Sequence, residues 1–228
     1  MTINYTPIER KVQADYDAIA ASFGESRRNL HWAEVDQMLA DIKPGETILD
    51  VGCGTGRLCS FVQDKHVDYI GVDISQKMLE VAKRDCAQGK FLQASMLRLP
   101  FTDHTFDRVF SIAALHHLAT ADERLAALRE SVRVLKPGGK LYLTVMGLWL
   151  PRYWKNRQGA FNEVSLPWIK QAGVNVDRYY HAFTKRELRR LLRQAGFLLE
   201  RLSYQRDGKT ASWLWGKNLV AVADKVIK

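Results

Sequence analysis

The run ILDVGCGTGRL, residues 48–58, ends an apolar stretch on an acid, Asp50, and then sets Gly52, Gly54 and Gly56 at alternate positions. Glycines are needed where a backbone turns tightly and a ligand approaches it without intervening Cβ atoms. A dinucleotide fingerprint, GxGxxG, fails on register: its third glycine would fall on Arg57 counted from Gly52, or on Cys59 counted from Gly54. Further on, YIGVDIS puts Asp73 at the tip of a second apolar stretch, 17 residues beyond Gly56. A carboxylate there is placed to accept both ribose hydroxyls of a nucleoside cofactor. One strand-end acid is as readily a turn former. Two of them in order, around a glycine turn, point to a nucleoside site.

A second set of reactive side chains lies elsewhere. His116 and His117 follow a stretch, FDRVFSIA, that reads as a strand, and open α/β sheets bind ligands at such ends. One of the pair is expected to face a pocket and the other to pack. No metal is expected, because adjacent residues project differently and no third ligand accompanies them. Residues 178–181, RYYH, offer Arg178, Tyr179, Tyr180 and His181. In an extended segment Tyr179 and Tyr180 point to opposite sides, so only one of them faces an acceptor. Trp149, Tyr153 and Trp154 interleave with Arg152, Lys155 and Arg157. That mixture suits stacked bases and phosphates, or alternatively a hydrophobic lid over a small-molecule pocket.

The elements that must position these groups alternate in type. Helices are predicted around VQADYDAIAASF and WAEVDQMLADI, then strand ETILDV, helix GRLCSFVQ, strand YIGVDI, helix SQKMLEVAKRDCA, short strand KFLQAS and strand FDRVFSIA. Helix DERLAALRESVRVL, a break at Pro137-Gly138-Gly139 and strand KLYLTV follow. Such alternation implies a mostly parallel sheet with helices on both faces. Residues 147–177 interrupt the rhythm without a clear period, as functional insertions do. After them Thr184 and Glu187 have capping-box spacing, Leu188, Leu191, Leu192 and Ala195 make one helical stripe, and Gly196 is a C-terminal stop. Strands near FLLERLSY and GKNLVAVA close the chain.

Composition sets limits. The 228 residues, 46% hydrophobic and 26% charged, suit one α/β domain. No apolar run reaches membrane-spanning length and the N-terminus lacks the apolar core of a secretory signal. Cys53, Cys59 and Cys86 are read as reduced thiols, and the chain is expected in the cytoplasm. The net charge of +9 is unevenly spread: residues 151–228 hold 16 Lys and Arg against 6 Asp and Glu, a net of +10, leaving −1 for residues 1–150. That asymmetry predicts an anionic partner, met by Arg186, Arg189, Arg190 and Arg193 on the outer face of the last helix.

The order of these motifs over residues 46–145 resembles the class I S-adenosylmethionine-dependent methyltransferases. The resemblance implies a three-layer Rossmann-like fold with a seven-stranded, mostly parallel sheet ordered 3-2-1-4-5-7-6 and its last strand antiparallel. The implied segments are 1–45 for N-terminal helices, 46–145 for the cofactor core, 146–183 for an acceptor insertion and 184–228 for the basic helix and closing strands, all in one domain. The implied cofactor is S-adenosylmethionine, held by Asp50, Gly52, Cys53, Gly54, Gly56, Asp73, Ile74, Ser95, Met96 and Ala113. Many relatives carry an acid after the third strand to hold the adenine amine; here that position is Ser95.

Outside that core, DYDAIAASFGESR with Trp32, SIAALHHLAT, EVSLPW and RYYHAFTKREL are similar to motifs of the tRNA wobble-uridine carboxymethyl methyltransferases. Departures are a longer spacing from Arg27 to Trp32 and a late motif replaced by QRDGKTASWLWGKN. This resemblance implies methyl-ester formation on 5-carboxymethyluridine at the wobble position of tRNA. Arg27, His116, Arg178, Tyr179 and His181 are then the acceptor-side candidates, with Arg27 alternatively holding the cofactor carboxylate. A tRNA anticodon arm and a small zinc-ribbon activator are the implied partners. Two other readings are a small-molecule methyltransferase acting on an acid or phenol, and a non-catalytic cofactor-binding scaffold.

Overall fold

A computed structural model describes residues 5–27, 33–148, 154–157, 160–169, 173–212 and 215–226, without the Trp154 side chain. Strands β1 (Thr47–Val51), β2 (Asp68–Asp73), β3 (Lys90–Gln93), β4 (Phe106–Ile112) and β5 (Leu135–Met146) are joined by helices α3 (Arg57–Val62), α4 (Gln76–Asp85) and α5 (Ala121–Val134). They follow α1 (Pro7–Arg27) and α2 (Ala33–Leu39). β6 (Glu163–Pro167) and β7 (Asp177–His181) lead to helix α6 (Lys185–Ala195) and then β8 (Phe197–Arg206), β9 (Lys209–Ala211) and β10 (Asn218–Lys225).

Eight strands form one sheet in the order β3-β2-β1-β4-β5-β10-β8-β9. β1, β2, β3, β4 and β5 pair in parallel, while β10 runs antiparallel to β5 and β8. This is the expected order with one addition, the edge strand β9. The central strands are buried on both faces because their side chains alternate. Leu49, Val109, Leu141 and Leu143 join α5 and α6 in one core, and Ile48, Phe110, Tyr142 and Val220 join α2 and α3 in the other. On α6 the stripe Leu188, Leu191, Leu192 and Ala195 is buried, each leucine contributing about 2 kcal/mol by leaving water.

Several expectations are corrected. Pro137-Gly138-Gly139 lies inside β5, where the pairing with β4 shifts register between Phe106 and Arg108. The motif therefore makes a bulge and not a break. Residues 163–167 and 177–181, read as aperiodic and as a separate motif, are the two strands of one antiparallel hairpin outside the main sheet. The α6 capping box is half formed: Thr184 accepts the Glu187 N–H, but the Glu187 carboxylate turns to His181. Cys59 and Cys86 are joined in a disulfide, with Cα atoms 6.4 Å apart, and only Cys53 is free. A separation of 27 residues carries no pairing signal in the sequence; α3 and the end of α4 bring the two together. Among the described residues no helix is long and apolar enough to cross a membrane.

Candidate functional site

A cavity of about 520 Å³ opens at the carboxyl ends of β1, β2 and β4. Its floor is the glycine turn. Gly52 has φ +76°, and a Cβ there would lie 2.4 Å from the Ala114 Cβ, so the turn admits no larger residue. Gly54 has φ +53° and a Cβ on it would meet nothing within 4 Å, which leaves its cavity-facing side open for a ligand. Ala113, at the end of β4, has φ +57°, a strained value for a residue with a Cβ. Two bonds from its N–H, to the Thr144 carbonyl and to Thr144 Oγ1, both 3.0 Å, hold it there.

Asp73 accepts the Gly54 N–H at 2.8 Å and the Ser75 N–H at 2.9 Å, which fixes its carboxylate at the cavity wall. Burial raises its pKa, partly offset by those N–H groups. Asp50 is buried and accepts the Tyr69 hydroxyl at 2.7 Å; burial pushes it up to about 7. Asp50, Gly52, Cys53, Gly54, Asp73, Ile74, Met96 and Ala113 border the cavity. Gly56 and Ser95 do not. Gly56 packs beneath, where a Cβ would lie 2.9 Å from Ala82 and 3.0 Å from Phe91. The Ser95 hydroxyl donates to Glu9 of α1. A strand-end acid, an open glycine cradle and apolar Ile74 and Met96 fit a nucleoside cofactor with a charged amino-acid tail.

The opposite wall comes from α1, the segment after β4 and the β6–β7 hairpin. Arg27, His116, His117, Arg178 and Tyr180 line it. His117 places Nδ1 2.8 Å from the Tyr179 carbonyl, so that nitrogen carries the proton, and Nε2 accepts the Tyr16 hydroxyl at 2.8 Å. His116 Nδ1 accepts the Met146 N–H at 3.0 Å, which assigns its proton to Nε2. Burial keeps both rings neutral, lowering His116 well below its ordinary value and His117 to about 4. Arg178 is 8% exposed and its guanidinium lies over Trp168 at 5.1 Å and Tyr180 at 5.4 Å. Among the described residues its Nε has no hydrogen-bond partner and no carboxylate pairs with it.

Tyr179 and His181 leave the candidate set, because strand alternation sends their side chains away from the cavity. His181 Nε2 meets Glu187 Oε1 at 2.7 Å, and Glu187 lies 3.7 Å from buried Arg124. Tyr179 also lies against Arg124, and burial pushes its hydroxyl up to about 12. These groups fasten the hairpin to α5 and α6, and Tyr180 takes the place expected of Tyr179. Both histidines border the cavity, where only one was expected.

Arg186, Arg189, Arg190 and Arg193 are all exposed on α6. Lys155 is exposed, and Arg157 lies over Phe161 at 4.4 Å. Arg152, Trp149 and Tyr153 lie outside the described residues, as does the Trp154 side chain. Sequence reading missed Tyr16, Arg57, Lys217 and Asn218, all on the cavity wall. Each lies inside a motif already singled out, Tyr16 in DYDAIA, Arg57 in ILDVGCGTGRL, and Lys217 and Asn218 in QRDGKTASWLWGKN, but nothing in those motifs marks the side chain as facing a cavity.

Residues 49–143 match the family described as "Methyltransferase domain". The chain is 30% identical over 216 residues to the Schizosaccharomyces pombe "tRNA (carboxymethyluridine(34)-5-O)-methyltransferase", covering 84% of this chain and 90% of that one. It is 34% identical over 161 residues to the Mus musculus "Probable tRNA methyltransferase 9B", covering 70% of this chain but 34% of that protein, so it spans about a third of that relative's length. Among solved structures, the complex between the Haloferax volcanii Trm112 methyltransferase activator and the putative methyltransferase aligns with a TM-score of 0.71 at 22% identity, over 93% of this chain and 98% of that one.

Proposed function

Because this chain belongs to the class I S-adenosylmethionine-dependent methyltransferases, and within them to the branch of the tRNA carboxymethyluridine methyltransferases, we propose that its acceptor is a carboxylate, that of 5-carboxymethyluridine at the wobble position of tRNA. The observation that carries this reading is the buried guanidinium of Arg178, which faces the cavity with no acid to neutralise it among the described residues. A buried cation calls for an anionic ligand. His116 adds a neutral Nε2–H donor beside it.

The same groups disfavour acceptors that must first lose a proton. His117 has both ring nitrogens engaged, and His116 has its only free lone pair on the Met146 N–H. Neither is a general base. A carboxylate is ionised already at pH 7 and needs none. When bound, S-adenosylmethionine would supply a methyl group on a sulfonium centre for one carboxylate oxygen to take, with the thioether as the leaving group. Arg178 and His116 hold the other oxygen and so align the first. Trp168 and Tyr180, packed against Arg178, and Phe23, packed on Trp168, keep water from it.

The exposed arginines of α6 support an RNA partner, as phosphates are met by such a face. The activator-bound Haloferax fold supports a small protein partner, and the free edge strand β3, with Leu92 44% exposed, is the surface we assign to it. The test is methyl transfer from labelled cofactor to tRNA bearing carboxymethyluridine, with and without a co-expressed activator. Base-labile label on the wobble nucleotide is expected. Label on free small-molecule acids but none on that tRNA in either preparation overturns the reading.

A further inference from the structure

The Ser95 hydroxyl has its one proton committed: it donates to Glu9 Oε1 and accepts the Leu97 N–H at 3.0 Å. Glu9 stands in the first turn of α1, only 5% exposed. Its Oε2 accepts the Thr6 N–H at 2.8 Å, and its own N–H reaches Thr6 Oγ1 at 3.3 Å, so the side chain is held at both ends. No Lys or Arg among the described residues pairs with it. A buried carboxylate in that state has one acceptor site left on each oxygen and gains from any further donor.

The space beside it is mostly apolar. A small cavity of about 40 Å³ is lined by Glu9, Val12, Ile74, Met96, His117 and Leu118. Val12, Ile74, Met96 and His117 also border the main cavity, so the small cavity that Glu9 lines adjoins the nucleoside site beside Ile74 and Met96. We propose that Glu9, reaching in from α1, selects adenine in the cofactor by accepting a hydrogen bond from its exocyclic amine. It thereby does from a distant helix what an acid at position 95 would do from the segment after β3. Ser95 is then a positioning residue that aims Glu9. The inference concerns the cofactor end and stands or falls apart from the acceptor assignment.

The experiment compares calorimetric binding of S-adenosylhomocysteine with that of its 6-deamino analogue, whose purine bears hydrogen in place of the amine. The unaltered protein is expected to prefer the amine roughly 10- to 100-fold, as for a hydrogen bond to a charged group. Glu9→Ala is expected to bring that ratio to within about twofold, and Glu9→Gln, which keeps a neutral acceptor, to an intermediate value. If Glu9 only caps α1, its loss weakens both ligands alike and leaves the ratio unchanged, which overturns the proposal. A ratio near one in the unaltered protein overturns it too, without needing any variant to fold.

Discussion

Replacing Arg178 by methionine separates function from stability in a direction few active-site changes share. The guanidinium is buried over Trp168 and Tyr180 and has no acid partner among the described residues. Opposite unit charges about 4 Å apart at an effective dielectric of about 20 attract by about 4 kcal/mol. Truncating one side of such a hydrogen-bonded pair costs roughly 2–5 kcal/mol. A loss of 3–4 kcal/mol is roughly a 10²- to 10³-fold fall in kcat/KM for carboxymethyluridine tRNA. Stability is expected to hold or rise, since methionine keeps the aromatic contacts and removes a desolvated charge. Methyl transfer, calorimetric cofactor binding and Tm, measured on the same preparation, decide the matter. Activity within threefold of the parent refutes the argument. So does a drop in cofactor affinity or Tm that tracks the loss of activity, because Arg178 would then be structural.

Reversing charge at Arg189, Arg190 and Arg193 with glutamate is expected to weaken tRNA binding, to flatten the dependence of log K on log salt by roughly two units, and to leave cofactor binding untouched; equal RNA affinity by filter binding defeats this. Burial lifts Asp50 to about 7, so between about pH 4 and 7 the folded chain keeps a proton that the unfolded chain has shed. That stabilisation is complete below pH 4 and lost as pH rises through 7. His117, held at about 4, acts oppositely as pH falls, so the measurement is the difference in urea stability between Asp50→Asn and parent. The variant is expected to gain on the parent by up to about 4 kcal/mol from pH 4 to 8, and a flat difference contradicts it. Reducing the Cys59–Cys86 bond releases a loop of 27-residue separation and is expected to cost about 3–4 kcal/mol, read as a lower urea midpoint in dithiothreitol.

Features with a local signal could be read from the sequence. The glycine turn and Asp73 announce themselves because strand, turn and acid are consecutive, and the α6 stripe and Gly196 cap because helix periodicity is short-range. What stayed hidden depends on long-range approach. Tyr16 meets His117 across 101 residues and Glu9 meets Ser95 across 86. The Cys59–Cys86 bond likewise follows from how α3 and α4 pack. The choice between Tyr179 and Tyr180 is a matter of hairpin register, which one strand alone does not define. Residues 163–167 looked irregular because a five-residue strand ending in Pro167 has too few alternations to show a period.

Among the described residues β6 and β7 pair with each other and with no strand of the eight-stranded sheet, and the nearest backbone tie is Phe183, two residues beyond β7, whose N–H donates to the Met146 carbonyl of β5 at 2.8 Å. Arg178 and Tyr180 therefore hang on a ladder that can be rebuilt without disturbing the pairing of β1 with β2 and β4. It meets the histidine pair through the Tyr179 carbonyl, 2.8 Å from His117 Nδ1, and through the Tyr180 ring, whose centre lies 5.0 Å from that of His116 and 4.7 Å from that of His117. On the proposed function, a change of acceptor can therefore be made by exchanging the hairpin as a unit while the cofactor half is left in place.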